Sequence, residues 1–221
     1  MLLVTCGCGR IDRRVDDFRE RIRQIESAPD EDDGQILPMG NPSGATADPG
    51  NEDNFLLIKK SSVVSYNNRR GTANWIYWRT TGSDLGEPLL RPDFQPDPTL
   101  PDSFISIFPS HYSGSGYDRG HLVPSADRFG DADTNAETFH MTNIVPQSAS
   151  LNQYTWEKLE RNARGIVRRG GEVHTFAGVY GESHRLKNRV TVPTNCWKII
   201  IVMKSGGGSA ELINDKTRII A

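Results

Sequence analysis

Residues 117–124 contain a histidine whose neighbours suit proton transfer. His121 directly follows Asp118, Arg119 and Gly120 and precedes a short apolar run. A histidine with an unperturbed pKa of about 6.5 is largely neutral at pH 7 and accepts a proton from water. Because a lone histidine is more often structural than catalytic, this neighbourhood is what sets His121 apart. The remaining histidines have no comparable surroundings: His111, His140, His174 and His184.

A second polar segment lies in a helix predicted for residues 150–169. Asn152 is either a cap of that helix or an amide oxygen ligand for a hard cation such as Mg²⁺. At about 3.6 residues per turn, Glu160 lies about 80° round the helix from Asn152, and Arg164 about 40° further. Those two side chains either face the histidine segment or form an exposed ion pair. Glu157 falls about 140° from Asn152 and is predicted to face elsewhere.

These residue types together suit the hydrolysis of a phosphodiester. A metal ion and arginines offset the charge that develops on the phosphate, while a histidine activates water. The sequence contains no Walker loop and no dinucleotide-binding fingerprint. Ser115 lacks the glycines, two positions before and after it, that a serine-hydrolase elbow requires.

The elements that must position these residues are predicted to be mainly short β-strands. Runs rich in β-branched and aromatic residues, separated by turn residues, are typical of strands. Residues 81–110 contain six prolines and are predicted to form an irregular surface loop that carries Arg91. Cys196 lies in a predicted strand and is interpreted as a small buried hydrophobic residue. The predicted strands are residues 55–58, 62–66, 74–79, 172–179, 195–203 and 217–220.

Residues 1–35 are predicted to be separate from a core domain of residues 36–221. In residues 10–27 apolar side chains recur at spacings of four and three, which is typical of one helix face. This helix is either a short coiled coil or docking helix, or a spacer lying on the core. Acidic residues and a glycine then indicate a solvated linker in residues 28–34. Six arginines and nine acidic residues make the segment negative, and the core is close to neutral.

The cysteine count and the hydropathy argue against a disulfide framework, a zinc site and a membrane span. An odd number of cysteines does not indicate a disulfide framework. Cys6 and Cys8 lack the second pair of ligands that is typical of a zinc site. The apolar start before Cys6 faintly resembles a lipoprotein cleavage site, which leaves lipidation open. No apolar run approaches the roughly 18 residues of a membrane span.

Three motifs resemble a known family. They are Tyr-Asp-Arg-Gly-His in residues 117–121, Met-Thr-Asn-Ile-Val-Pro-Gln in residues 141–147, and Leu-Asn-Gln in residues 151–153 followed by Trp156 and Glu160. Together they strongly resemble the DNA/RNA non-specific endonucleases of the ββα-metal, or His-metal finger, superfamily. Residues 40–45, 65–75 and 113–128 resemble its bacterial secreted branch. The resemblance implies an α+β fold in which a central antiparallel sheet is flanked by helices.

The resemblance also implies roles for the residues around the histidine. His121 is expected to be the general base that deprotonates the attacking water. Asn152 is expected to be the one direct protein ligand of a Mg²⁺ ion, with Mn²⁺ as a substitute. Glu160 is expected to hold the waters of that ion. Asn143 matches a family asparagine near the catalytic histidine and a metal-bound water.

Positive residues and partners are implied in the same way. Arg91 matches the arginine that stabilises the charge of the phosphorane, although it lies in a loop of variable length. Arg119 and Arg164 match positive residues near the phosphate. The expected substrates are DNA and RNA, cut with little sequence preference. Because such an enzyme damages its own cell, secreted or periplasmic location, or a protein inhibitor, is expected.

Two other functions remain open from the sequence. A binding protein with the same fold would hold nucleic acid without cutting it, and loss of His121, Asn152 or Glu160 would indicate this case. All three residues are present. A phosphodiesterase or phosphatase acting on a small substrate would cleave a chromogenic diester but not a plasmid.

Overall fold

The computed structural model describes residues 37–206 and 213–221. Two predictions fall outside those residues, namely the helix of residues 10–27 and the linker of residues 28–34. Cys6 and Cys8 also lie outside them. The domain boundary between residues 35 and 36 stays a prediction. Within the described ranges, no helix is long and apolar enough to cross a membrane.

The core is a six-stranded antiparallel sheet whose neighbouring strands are, in order, Phe55–Ile58 (β1), Val63–Asn67 (β2), Thr72–Thr80 (β3), Gly171–Tyr180 (β6), Asn195–Lys204 (β9) and Arg218–Ile220 (β10). The α+β class predicted from the sequence is confirmed, and the predicted strands agree with the observed ones to within two residues at each end. The elements are β1 (Phe55–Ile58), β2 (Val63–Asn67), β3 (Thr72–Thr80), β4 (Asp118–His121), α1 (Ala132–Glu137), β5 (Ile144–Gln147), α2 (Glu157–Arg168), β6 (Gly171–Tyr180), β7 (His184–Leu186), β8 (Val190–Val192), β9 (Asn195–Lys204) and β10 (Arg218–Ile220).

Alternating side chains divide the core between the two faces of this sheet, because successive residues of a strand point to opposite faces. On β3, Trp75 and Tyr77 pack in the cluster that contains Leu37 and Met39. Residues Ile76 and Trp78 belong to the opposite cluster. That second cluster also contains four residues that lie in the three motifs or directly after one of them: Leu122, Val123, Val145 and Trp156. This face of the sheet therefore supports the site.

A short second layer lies on that face. Strand β4 pairs antiparallel with β5 over four residues, with His121 opposite Ile144. A separate hairpin, β7–β8, packs beside it, where Leu186, Val190 and Val192 join the cluster of Ile144. The sequence did not predict these four short strands. Strands β4 and β7 contain charged residues and β5 contains a proline, none of which is typical of a strand.

Residues 81–110 form the predicted irregular loop, apart from short 3₁₀ turns at Gly82–Asp84 and at the start of Pro109–Tyr112. The loop returns to the core at Gln95, which forms a parallel bridge with His140. Gln95 donates to the carbonyl of Phe139, and Met141 donates to that of Gln95. This bridge fixes the loop that carries Arg91 beside the β4–β5 layer.

The prediction of a single α-helix for residues 150–169 was wrong at its start. A π-helix spans Leu151–Trp156, and the α-helix α2 follows it. The capping role considered for Asn152 is not observed, because the residue lies inside the π-helix and its side chain donates to Asp118. The wider π turn invalidates the angles calculated between Asn152 and Glu160 from 3.6 residues per turn. The α-helix ends at Arg168, within one residue of the predicted end, and the φ of 85° at Gly170 is typical of a glycine that follows a helix.

A buried ion pair anchors the loop at a second point. Lys59 Nζ lies 2.6 Å from Asp97, and the two side chains are 4% and 0% exposed. Lys59 also donates to Thr99 at 2.8 Å and lies 3.2 Å from Nδ1 of His140. Removing one partner leaves the other charge buried and unpaired, which is strongly unfavourable. The neighbouring Lys60 is half-exposed and pairs only with surface carboxylates.

Lys59 and Lys60 therefore form a matched pair for measuring how much this anchor stabilises the fold. We expect Lys59→Met to lower the free energy of unfolding by about 3–5 kcal/mol, because it leaves the buried Asp97 carboxylate without its positive partner. Lys60→Met removes only exposed ion pairs and should cost less than about 1 kcal/mol. Urea denaturation of both variants measures the difference. Equal effects of the two substitutions would contradict the anchoring role.

Candidate active site

The backbone around His121 is held by donors from several elements. Trp156 Nε1 donates to the His121 carbonyl at 3.1 Å. The Leu122 amide donates to the Asn143 carbonyl at 3.0 Å. Lys198 Nζ reaches the Leu122 carbonyl at 3.3 Å. These bonds supplement the β4–β5 ladder and fix the direction in which the His121 side chain leaves the backbone.

Asn143 holds the chain immediately after His121. Its Oδ1 accepts a hydrogen bond from the Val123 amide at 2.9 Å. Its Nδ2 donates to the carbonyls of Val123 at 2.9 Å and Thr138 at 2.8 Å. The side chain is buried, and both of its N–H groups are engaged by the backbone. The observed bonds assign Asn143 to positioning this turn, and its predicted contact with a metal-bound water stays a prediction.

The His121 imidazole lies between two phenylalanine rings. The centroid of the His121 ring lies 5.4 Å from that of Phe94 and 5.0 Å from that of Phe139. The contact with Phe139 is edge-on. Its Nε2 is buried and has no hydrogen-bond partner in the described part of the chain. Burial, with smaller contributions from the positive charges of Arg91 and Lys198, lowers the pKa of His121 to about 4. At neutral pH the ring is therefore uncharged and able to accept a proton.

Two exposed arginines contact the Phe94 ring, which packs beside the histidine. The guanidinium carbons of Arg91 and Arg119 lie 5.3 Å and 5.0 Å from its centroid, and Arg91 lies 5.7 Å from Phe139. Cation–π contacts of this kind hold a guanidinium without neutralising it. Neither arginine pairs with a carboxylate of residues 37–206 or 213–221. The structure thus brings Arg91, Arg119 and His121 together with uncompensated positive charge.

Asn152 is oriented by Asp118, at the opposite end of β4 from His121. The carboxylate oxygen Oδ2 of Asp118 accepts hydrogen bonds from Asn152 Nδ2 and Gln153 Nε2, each at 2.9 Å. An ionised carboxylate only accepts, so the amide nitrogen of Asn152 must face it. The amide oxygen of Asn152 then points away and bonds to none of the described residues. Such an oxygen is a hard ligand that suits Mg²⁺.

Glu160 is paired with a lysine that the sequence analysis missed. Lys198 Nζ lies 2.8 Å from Glu160 Oε1, and their side chains are 2% and 11% exposed. The ammonium also lies 4.3 Å from the ring centroid of Trp156 and 5.1 Å from that of Trp78. Burial raises the pKa of Glu160, although the charge of Lys198 opposes this shift. The pair lies directly behind the His121–Leu122 backbone.

Arg164 is directed into the core. Its Nη1 lies 3.0 Å from Asp127 Oδ1, and the arginine side chain is 10% exposed. Asp127 Oδ2 in turn accepts hydrogen bonds from Trp78 Nε1 at 3.0 Å and Thr80 Oγ1 at 3.3 Å. Neither the exposed Glu160–Arg164 ion pair nor an exposed guanidinium at position 164 is observed. The predicted phosphate contact of Arg164 stays a prediction. Glu157 is partly exposed and pairs with Arg161.

Sequence reasoning missed the residues that support the site. Lys198 interrupts an apolar strand, and lysine is almost never fully buried without a partner, so its position was a usable signal. Asp118 was noted only as a neighbour of His121. Phe94 and Phe139 gave no signal, because single aromatic residues in loops are usually packing residues. In the described ranges, no group of three or more His, Cys, Asp or Glu side chains is placed to hold a metal ion.

A model of the DNA/RNA non-specific endonuclease family matches residues 39–220. The chain belongs to this family. It is 47% identical to a nuclease of Nostoc sp. over 186 residues, which cover 84% of this chain and 68% of that protein. Nuclease C1 of Cunninghamella echinulata is 33% identical over 70% of this chain and 68% of its own length.

Mitochondrial and structural relatives agree with the family assignment. Human endonuclease G, mitochondrial, is 30% identical over 71% of this chain and 57% of its own length. A solved structure of the EndoG/EndoGI complex matches with a TM-score of 0.64 and 22% identity, covering 85% of both chains. At that identity the likeness shows the shared fold. The endonuclease-family chain is accordingly a hydrolase that acts on nucleic acid.

The unusual environment of His121 in this endonuclease-family chain is directly measurable. In EDTA, we expect NMR titration to give His121 a pKa of about 4. Arg91→Ala should raise that pKa, because it removes a positive charge that disfavours the imidazolium. Arg161→Ala, which removes an arginine paired with Glu157, should leave it unchanged.

The lowered pKa of His121 makes the stability of the folded protein depend on pH. Its folded pKa lies below the value of about 6.5 expected for an unfolded chain. The contribution of neutral His121 to stability is therefore complete above about pH 6.5 and is lost as the pH falls through 4. A titration midpoint near 6.5 in the unaltered protein, or no response to Arg91→Ala, would contradict the observed environment.

Proposed function

We propose that this protein is a metal-dependent endonuclease that hydrolyses phosphodiester bonds of DNA and RNA with little sequence preference. His121 is its general base, and Asn152 is the protein ligand of one Mg²⁺ ion, which Mn²⁺ can replace. The observation that carries this proposal is the arrangement on strand β4. A neutral histidine stands at one end of the strand, and an aspartate that orients an amide oxygen stands at the other.

His121 takes the proton of the attacking water. Burial and the nearby charges of Arg91 and Lys198 keep the imidazole neutral, so it is ready to accept at any pH well above 4. The same charges disfavour the imidazolium once it has formed and favour its release of the proton. A bound phosphate brings negative charge close to the ring and raises its pKa, which strengthens the base while substrate is present.

Arg91 and Arg119 bind the phosphate and offset the charge that develops on it. Both are held on Phe94, so little reorganisation is needed during the reaction. Arg164 and Lys198 are engaged by buried carboxylates, and we assign them to positioning rather than to direct contact. Since these contacts are to phosphate, which carries no sequence information, they favour low sequence preference.

The residues near Asn152 fit a hard divalent cation. The amide oxygen of Asn152 is directed away from Asp118, and an amide oxygen with waters is a suitable ligand set for Mg²⁺. When bound there, the ion supplies Lewis-acid stabilisation of charge on the phosphate oxygens. Glu160 keeps its second oxygen, Oε2, unbonded to any residue that the structure describes, and we assign it to orienting waters of the ion.

Export from the cell, or control by a protein inhibitor, accompanies the proposed activity. An unrestrained nuclease damages the nucleic acids of its own cell. The structural neighbour was solved in a complex concerned with inhibition of EndoG. Fractionation of cells that express the full-length gene product tests this part. A soluble cytoplasmic enzyme without an inhibitor, in a host that grows normally, would contradict the proposal of export or inhibition.

Digestion of plasmid and total RNA tests the proposed activity. The purified protein should cut both substrates in Mg²⁺ and neither in EDTA. We expect His121→Ala to lower the rate by at least about 10²-fold, because it removes the general base. His111→Ala is a matched control, since that histidine lies outside the site, and should retain activity. Equal activity of His121→Ala and the unaltered protein would contradict the proposal, as would cutting that persists in EDTA.

A further inference from the structure

Two turns at one side of the molecule are locked together by close backbone contacts. At Gly71, in the turn between β2 and β3, a Cβ atom would lie 2.7 Å from the Arg189 carbonyl oxygen. The φ of 66° at Gly71 also favours glycine. From the β7–β8 hairpin, the Thr191 amide donates to the Arg70 carbonyl at 2.8 Å. The two turns therefore present their side chains on one fixed surface.

This surface carries positive charge without carboxylate partners. The guanidiniums of Arg70 and Arg185 donate to the backbone carbonyls of Gly181 and Arg69, respectively. Lys187 Nζ donates to the Ser110 carbonyl at 2.6 Å. Carbonyls accept these bonds but leave the net charge unchanged. Within residues 37–206 and 213–221, none of the four forms an ion pair within 4.0 Å. We call the following four residues the basic patch: Arg70, Arg185, Lys187 and Arg189.

The hairpin turn holds the basic patch toward solvent. Lys187 and Asn188 have φ values of 45° and 55°, the left-handed pair that a tight hairpin turn requires. Leu186 and Val190 are buried beneath it, while Lys187 and Arg189 are exposed. Burial lowers the pKa of the nearby His111, and the charges of Arg189 and Lys187 lower it further. The local potential is thus positive.

The basic patch is continuous with the active site. The ring of His184, at the start of the hairpin, lies 5.7 Å from that of Tyr117, which immediately precedes Asp118. Beneath the surface, Leu186 packs in the cluster of Ile144, the ladder partner of His121. At about 3.3 Å per residue, the hairpin extends roughly 10 Å from His184 to its tip. A nucleic-acid strand covers that length with about three phosphates.

From these observations we infer that the basic patch binds the sugar-phosphate backbone of the substrate at nucleotides beyond the bond that is cut. The inference rests on the proposed endonuclease function and adds an extended substrate-binding surface to it. An acidic protein would also be attracted by the charge. The continuity with the site favours nucleic acid, because a strand bound at His121 and Arg119 must leave along some neighbouring surface.

Salt-dependent binding separates this surface from other exposed cations. The test variant is Lys187→Gln/Arg189→Gln. The matched control is Lys60→Gln/Arg161→Gln, which removes one lysine and one arginine that both have carboxylate partners. Fluorescence anisotropy with a labelled 20-base-pair duplex is measured in EDTA between about 50 and 200 mM salt, the range over which phosphate contacts are lost. Equal melting temperatures confirm that both variants are folded.

For the test variant we expect the slope of log K against log salt to become shallower by about 0.9 for each lost phosphate contact, or about 1.8 in total. The control should keep the slope of the unaltered protein. In Mg²⁺, KM for long DNA should rise on the order of 10-fold, which corresponds to a few lost phosphate contacts. Turnover of bis(p-nitrophenyl) phosphate, which is too short to reach the hairpin, should be unchanged.

An unchanged slope and KM in the test variant would overturn the inference and leave an acidic protein as the alternative partner. An equal loss of activity on DNA and on the short diester would overturn it too, because that result locates the effect in the active site. Failure of the proposed function is seen separately, as absence of metal-dependent cutting by the unaltered protein. The binding measurement in EDTA does not depend on cutting.

Discussion

The position of His121 depends on a two-stranded ladder that is only four residues long. Two isolated strands of this length are not stable in water. The ladder persists because the carbonyls and amides just beyond it are satisfied by Trp156, Asn143 and Lys198. Val145 of the ladder and Leu122 directly after β4 are buried in the cluster on the large sheet. The large sheet therefore fixes where the ladder lies.

Charged side chains lie on both sides of the β4–β5 layer, and they differ in how they are held. Behind it, Lys198–Glu160 and Arg164–Asp127 are buried pairs, whose geometry is strongly constrained because a lone charge there would be costly. In front, Arg91 and Arg119 are held by an aromatic ring and keep their full charge. His121 lies between these groups. Burial is the main cause of its lowered pKa, and the charges of Arg91 and Lys198 lower it further. One strand thus separates cations that support the structure from cations that are available to a phosphate.

The sequence predicted the sheet strands well, because their β-branched and aromatic runs are long enough to show the pattern. The motifs around His121 and Asn152 indicated the site, since their residue types suit one reaction. The π turn at residues 151–156 was not predictable, because local propensity does not distinguish it from an α-helix. Pairing partners such as Asp127 for Arg164 come from distant segments, and one sequence without its fold does not specify them.

We propose that Asp118 orients Asn152 so that its amide oxygen binds a divalent cation. Mn²⁺ binding, followed by electron paramagnetic resonance of the free ion, tests this claim without relying on activity. We expect one bound ion, loss of binding in Asn152→Ala, and affinity about 10–100-fold lower in Asp118→Ala. Bound Mn²⁺ should also broaden the NMR signals of the His121 ring. Binding by Asn152→Ala equal to that of the unaltered protein would contradict it.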